Sequence, residues 1–161
     1  MMAADERVTG RFIQPEKIYR GWRDETAKRL MGAWPFTFVT VNGHPLRAFN
    51  FGEADHFDWG YDGTQPRMLA LAVLADYFGE TPTDEADMRG WETATSPLKC
   101  IRYGKRFLGI IARLEKEASW TISSDHLREW LKMRLHVYYS QKEAQRRHEP
   151  ARRSPVAAEF W

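Results

Sequence analysis

A single cysteine, Cys100, stands in 161 residues, so no internal disulfide can form and no oxidising compartment is called for. No apolar run approaches the ~18 residues needed to span a bilayer. The opening MMAADERVTG has no signal-peptide segment, and a cytoplasmic location is the expectation. Catalytic signatures are also scarce. GYDGTQ (60–65) lacks the lysine and hydroxyl that end GxxxxGK[ST], and the three-glycine spacing of the dinucleotide fingerprint. Neither a Ser-His-Asp nor a Cys-His set can be assembled from local motifs, so no enzyme and no cofactor are expected. Net charge is only +2, too small to indicate a nucleic-acid partner by itself.

What is present is a globular chain. Apolar residues make up 43% and aromatics 14%, which excludes disorder, and 29% charged residues supply a polar surface. This length fits one domain that buries roughly 70% of its unfolded surface. Residues 1–16 read as a loosely held extension, 17–139 as the domain, and 140–161 as a basic helix end and tail.

KIYRGW (17–22) alternates with the period of a strand, and DETAKRL (24–30) suggests a helical turn. In PFTFVTVNGHPLRAF (35–49), Asn42-Gly43 suits a type I′ hairpin turn, and Pro45 places the returning strand at a sheet edge. FNFGEADHFDWG (49–60) reads as a loop entering a short strand that ends near Trp59. A helix follows in which Thr64 caps, Pro66 fits the first turn, and Met68 to Phe78 is apolar nearly all round; such a helix belongs mid-fold. Gly79 suits its left-handed end.

TPTDEADMRGWETAT (81–95) reads as a polar connector. Ser96 and Pro97 are expected to start a second helix with an apolar stripe of Leu98, Ile101, Leu108, Ile111 and Leu114. Its other side is basic: Lys99, Arg102, Lys105, Arg106 and Arg113. Gly104 and Gly109 weaken a helix interior, so close packing is expected at both. Trp120-Thr121-Ile122 forms a short strand, and Ser123 or Ser124 caps a third helix with Leu127, Trp130, Leu131, Leu135 and Tyr138 on one face. This helix is extended toward Pro150. The fold class is therefore α+β: a small antiparallel sheet of three to four short strands, with one NG hairpin, packed against about three helices.

Four groups of residues are candidate sites. FDWGYDGTQP (57–66) reads as an architectural corner, with Trp59 and Tyr61 bracketing the core, Gly60 and Gly63 permitting the turn, and Thr64 and Pro66 starting the helix. In EADHFD (53–58), Asp55, His56 and Asp58 join Glu53 as mixed metal donors, but the spacing fits neither zinc nor EF-hand templates. An acidic loop capping N–H groups is the plainer reading. Lys142, Arg146, Arg147, Arg152 and Arg153, with Lys105, Arg106 and the terminal Phe160 and Trp161, are candidates for binding protein or nucleic acid. The mixture Tyr19, Arg20, Trp22, Arg23 suits stacking on bases, but core aromatics with snorkelling arginines explain it more simply. Cys100 beside Lys99 and Arg102 would be activated if exposed, but a buried structural thiol is expected.

IYRGW, VTVNGHPL, FDWGYDGTQPRMLALAVLADYFG and WTISSDHLREWL occur in an order that resembles a small bacterial and phage family, domain of unknown function 6166. The resemblance runs from about Lys17 to Leu135, departing near 23–35, near 47–56, and in an extension from about 136. It implies a fold unit and a mobile-element habitat within a bacterial host cell. No activity and no catalytic residue follow from it. The expected function is a non-enzymatic protein-binding module docking on a host protein or nucleoprotein complex, such as an inhibitor of a CRISPR–Cas defence complex. A nucleic-acid binder using the basic helix and tail is the alternative, and a metal-dependent enzyme the second.

Overall fold

The computed structural model describes residues 15–26, 37–49, 56–83 and 85–134. Asn42 and Gly43 take φ of 48° and 80°, the positive values that a type I′ turn needs. Through them β2 (Thr37–Val41) returns as β3 (His44–Pro45), which is an edge strand, as Pro45 requires. β1 (Ile18–Arg23) lies between β2 and β4 (Trp120–Ser123), giving the antiparallel order β3-β2-β1-β4. Asn42 also fixes the start of β1. Its N–H donates to the Ile18 carbonyl at 2.9 Å, and its Oδ1 accepts from the Ile18 N–H at 2.8 Å.

One face of the sheet carries Tyr19 and Gly21 opposite Val41 and Val39. Gly21 is bare because the Trp120 indole fills its place; a Cβ there would lie 2.3 Å from the ring. α1 (Thr64–Phe78) is buried without interruption from Met68 to Ala75, so it has no solvent side to lose. Its first polar residue after that run, Asp76, accepts the Tyr19 hydroxyl at 2.7 Å and the Lys17 Nζ at 3.0 Å. Gly79, at φ 65°, closes the helix.

The corner before α1 differs from expectation in two respects. Gly63, not Thr64, occupies the N-cap position, no side chain caps it, and Thr64 is already helical. Residues 57–59 are not a strand. Asp58 and Arg23 form a buried ion pair at 2.5 Å, with side chains 7% and 6% exposed. The Trp59 N–H also donates to Asp58 Oδ1, at 2.9 Å. Arg23 lies 4.5 Å above the Trp59 ring, and its Nε donates to the Lys116 carbonyl at 2.7 Å. Trp59 itself is fully buried, edge-on to Trp120 at 5.7 Å, whereas Tyr61 is half-buried. The glycine that needs its freedom is Gly60: φ is 85°, and a Cβ would meet the Lys116 Cα at 2.7 Å. Gly63 is extended (φ 180°), and a Cβ there meets only the Tyr61 ring.

The second helix is also different. It begins at Lys99, not at Ser96-Pro97, and is divided at Tyr103 into α2 (Lys99–Arg102) and α3 (Gly104–Arg113). Ser96 Oγ accepts from the Leu98 N–H, while the free N–H groups of Lys99 and Cys100 donate to the Glu80 carboxylate at 3.0 and 2.9 Å. The cap therefore comes from the end of α1. The connector 81–95 contains a 3-10 turn (Glu85–Met88) and buries Trp91, whose ring lies on Gly104. Close packing therefore explains Gly104, where a Cβ would stand 2.1 Å from the ring; at Gly109 nothing lies within 4 Å.

The chain divides into two compact units, Met1–Ser124 and Asp125–Trp161. The last helix, α4, is described over 124–134. Ser124 is inside it, and its Oγ accepts from the Lys17 N–H at 2.9 Å. Farther along, Arg128 pairs with Asp125 and Lys132 with Glu129, each three residues apart, while Leu127 and Trp130 are buried. Leu135 and Tyr138 lie outside the described residues. Among those described, no helix is long and apolar enough to cross a membrane.

Substitutions at Gly60, Gly63 and Asp58 measure the corner. Gly60→Ala should lower stability by about 2 kcal/mol or more in urea titration, because a positive φ and a backbone clash act together. Gly63→Ala should cost less. Asp58→Ala leaves the Arg23 charge buried without its carboxylate and should cost about 3–5 kcal/mol, much of it recovered in Arg23→Met/Asp58→Leu.

Candidate functional site

The two-residue period of β1 and β2 turns Ile18, Arg20, Trp22, Phe38 and Thr40 away from the core. Trp22 and Phe38 are register partners. Their rings stack at 5.7 Å and 21°, yet remain 39% and 43% exposed. A shallow groove of about 410 Å³ runs beside them, lined by Ile18, Arg20, Trp22, Thr40, Asn42 and Gly43. Arg20 is exposed, and among the described residues no carboxylate pairs with it. Chemically, this face offers a flat aromatic surface beside a cation. It can cover an apolar side chain and hold a carboxylate in the same contact.

The sheet thus separates the residues that the sequence mixed. Tyr19 and Arg23 turn inward to Asp76 and Asp58, while Arg20 and Trp22 turn out. Burial, followed by the Asp76 hydrogen bond, pushes the Tyr19 phenol above its ordinary range. Burial likewise raises Tyr61, with the Asp58 charge second. A smaller recess of about 280 Å³ is lined by Lys17, Arg47, Phe49, Asp76 and Glu80 among others. Its carboxylates already have structural duties: Asp76 holds Lys17 and Tyr19, and Glu80 caps α2.

Of the metal candidates, Asp58 is engaged by Arg23 and the Trp59 N–H, which leaves it the capping role of the plainer reading. His56 is half-buried, and Glu53 and Asp55 lie outside the described residues. Among the described residues, no group of three His, Cys, Asp or Glu is placed to hold a metal. Lys105 pairs with Glu92, which also meets Arg67, and the Lys105 hydrogen bond holds the Glu92 carboxyl below its usual range. Arg106 is exposed. Lys142, Arg146, Arg147, Arg152, Arg153, Phe160 and Trp161 all lie outside the described residues.

The sequence reading passed over the Trp22–Phe38 pair. Charge does not mark that face, because Arg23 on the other side of the same strand is also charged and turns inward. Cys100 is fully buried, and burial pushes its thiol up to about 12. An aromatic disulfide reagent at neutral pH should therefore label Cys100 only as fast as the protein opens, and at once in denaturant. Prompt labelling of the native protein would contradict the burial.

No curated protein and no solved structure matches the chain. The family match spans β1 to β3, α1 and the connector through Thr93, and it stops before α2, α3 and β4, well short of the Leu135 expected from the resemblance. Over residues 19–93, the chain matches the model of DUF6166, a family of unknown function.

Proposed function

We propose that this protein is a non-catalytic binding module that docks on another protein through the outer face of its sheet. The observation that carries this reading is the stacked, exposed Trp22–Phe38 pair beside Arg20. Trp and Arg are among the side chains most enriched where binding energy concentrates in interfaces, and contiguous exposed apolar surface marks interaction sites. The complementary partner surface presents an apolar anchor to Trp22 and Phe38 and a carboxylate to Arg20. Support for a non-catalytic role comes from the engaged carboxylates of Asp58, Asp76 and Glu80 and from the buried Cys100 thiol.

The finer reading, in which the partner is a bacterial defence complex such as CRISPR–Cas, rests on the mobile-element habitat that the resemblance implies. Both levels are tested by affinity capture and by reconstitution with purified defence effectors. Wild-type protein should retain a defined partner that Trp22→Ala/Phe38→Ala loses by tenfold or more, on the order expected for paired aromatic anchors. The double variant should keep its fold, because both side chains point outward. Equal retention by the variant would remove the sheet face from the interaction, and absence of inhibition in the effector assay would remove the defence complex.

A further inference from the structure

From Leu98 to Leu114 the sequence contains five basic residues and no acidic one. The structure removes Lys105 from this set by pairing it with Glu92. For Lys99, Arg102, Arg106 and Arg113, no described carboxylate forms an ion pair. At roughly 100° per residue, Arg106, Gly109 and Arg113 fall within about a 60° arc of α3. Phe107, Leu108 and Ile111 are buried on the opposite side. Lys99 and Arg102 belong to α2, which Tyr103 (φ −95°, ψ −9°) separates from α3. The seven steps from Arg106 to Arg113 extend roughly 10 Å at about 1.5 Å each.

Two features distinguish this row from an ordinary solvated face. First, the cations nearest the start are held by rings instead of carboxylates. Lys99 Nζ lies 5.6 Å from the Phe78 centroid, the Arg102 guanidinium lies 5.7 Å from that of Tyr103, and the two rings stack at 6.1 Å. Aromatic contact positions a cation without neutralising it, so the charge stays available. Second, Gly109 lies exposed between Arg106 and Arg113, in mid-helix. Among the described residues nothing approaches a Cβ built there, so their packing does not account for a residue that weakens the helix. A bare stretch of backbone flanked by arginines allows a rigid, charged strand to approach closely.

We propose that the face formed by Lys99, Arg102, Arg106, Gly109 and Arg113 binds the sugar–phosphate backbone of a nucleic acid. A linear row of uncompensated cations matches a linear row of phosphates, and arginine supplies forked donors for each phosphate. Binding is therefore governed by charge and indifferent to base sequence. It is independent of the sheet face, and Trp22→Ala/Phe38→Ala leaves it unchanged.

The test uses the full chain, a short fluorescent oligonucleotide (single-stranded or duplex), and anisotropy across a salt series. Affinity should fall steeply with salt, and Arg106→Ala and Arg113→Ala should each reduce the log–log slope by about one. Gly109→Ala should raise Tm by about 2–4 °C while weakening binding severalfold, which separates contact from folding. Three results would overturn the proposal. One is no binding even in low salt; another is an unchanged slope in Arg106→Ala/Arg113→Ala, with binding lost only on reversing Arg146 and Arg147. The third is polyglutamate competing as well as the oligonucleotide with the same residue dependence, which would assign the face to an acidic protein.

Discussion

The buried pair of Arg23 and Asp58 ties together three segments distant in sequence. Arg23 ends β1, Asp58 opens the corner leading into α1, and the carbonyl of Lys116 lies in the loop between α3 and β4. Two opposite charges at 7% exposure or less hold their place only when their remaining hydrogen-bonding groups are satisfied. The second Asp58 contact goes to the Trp59 N–H, and the flat side of the guanidinium rests on the Trp59 ring. Trp59 is thereby pinned against Trp120, and Trp120 against Gly21. Sheet, corner and the loop before β4 are brought together by one electrostatic contact.

Local chemistry in the sequence foretold much of this. Asn42-Gly43 has few uses other than a tight hairpin, and Pro45 cannot sit in a central strand. A run such as Met68–Ala75, apolar on every side, has to lie under other elements. The features that escaped were decided by distant partners. Glu80 caps a helix nineteen residues later, so no local pattern could identify Leu98 as the N-cap residue. Trp91 in a polar connector gave no sign that it would cover Gly104. Asp58 read as one carboxylate in an acidic loop because its arginine lies in a strand 35 residues earlier.

The candidate surfaces divide in the same way. The basic side of the second helix was visible as a row of charges, but the exclusion of Lys105 and the lack of packing at Gly109 needed coordinates. The sheet face was harder to identify. Tyr19 and Trp22 are both aromatic, and alternation alone cannot say which of two aromatic-bearing faces turns inward; the partners Asp76 and Phe38 decide it.

α1 has a consequence for how the chain is made. Its apolar surface from Met68 to Ala75 is complete well before α3 and β4 exist, because those elements begin at Gly104 and Trp120. β1 likewise waits about a hundred residues for its second neighbour. On the ribosome, a nascent chain of family-matched length therefore displays a greasy helix without the elements that cover it. Until translation has passed the final strand, such a chain exposes apolar surface that the finished fold buries.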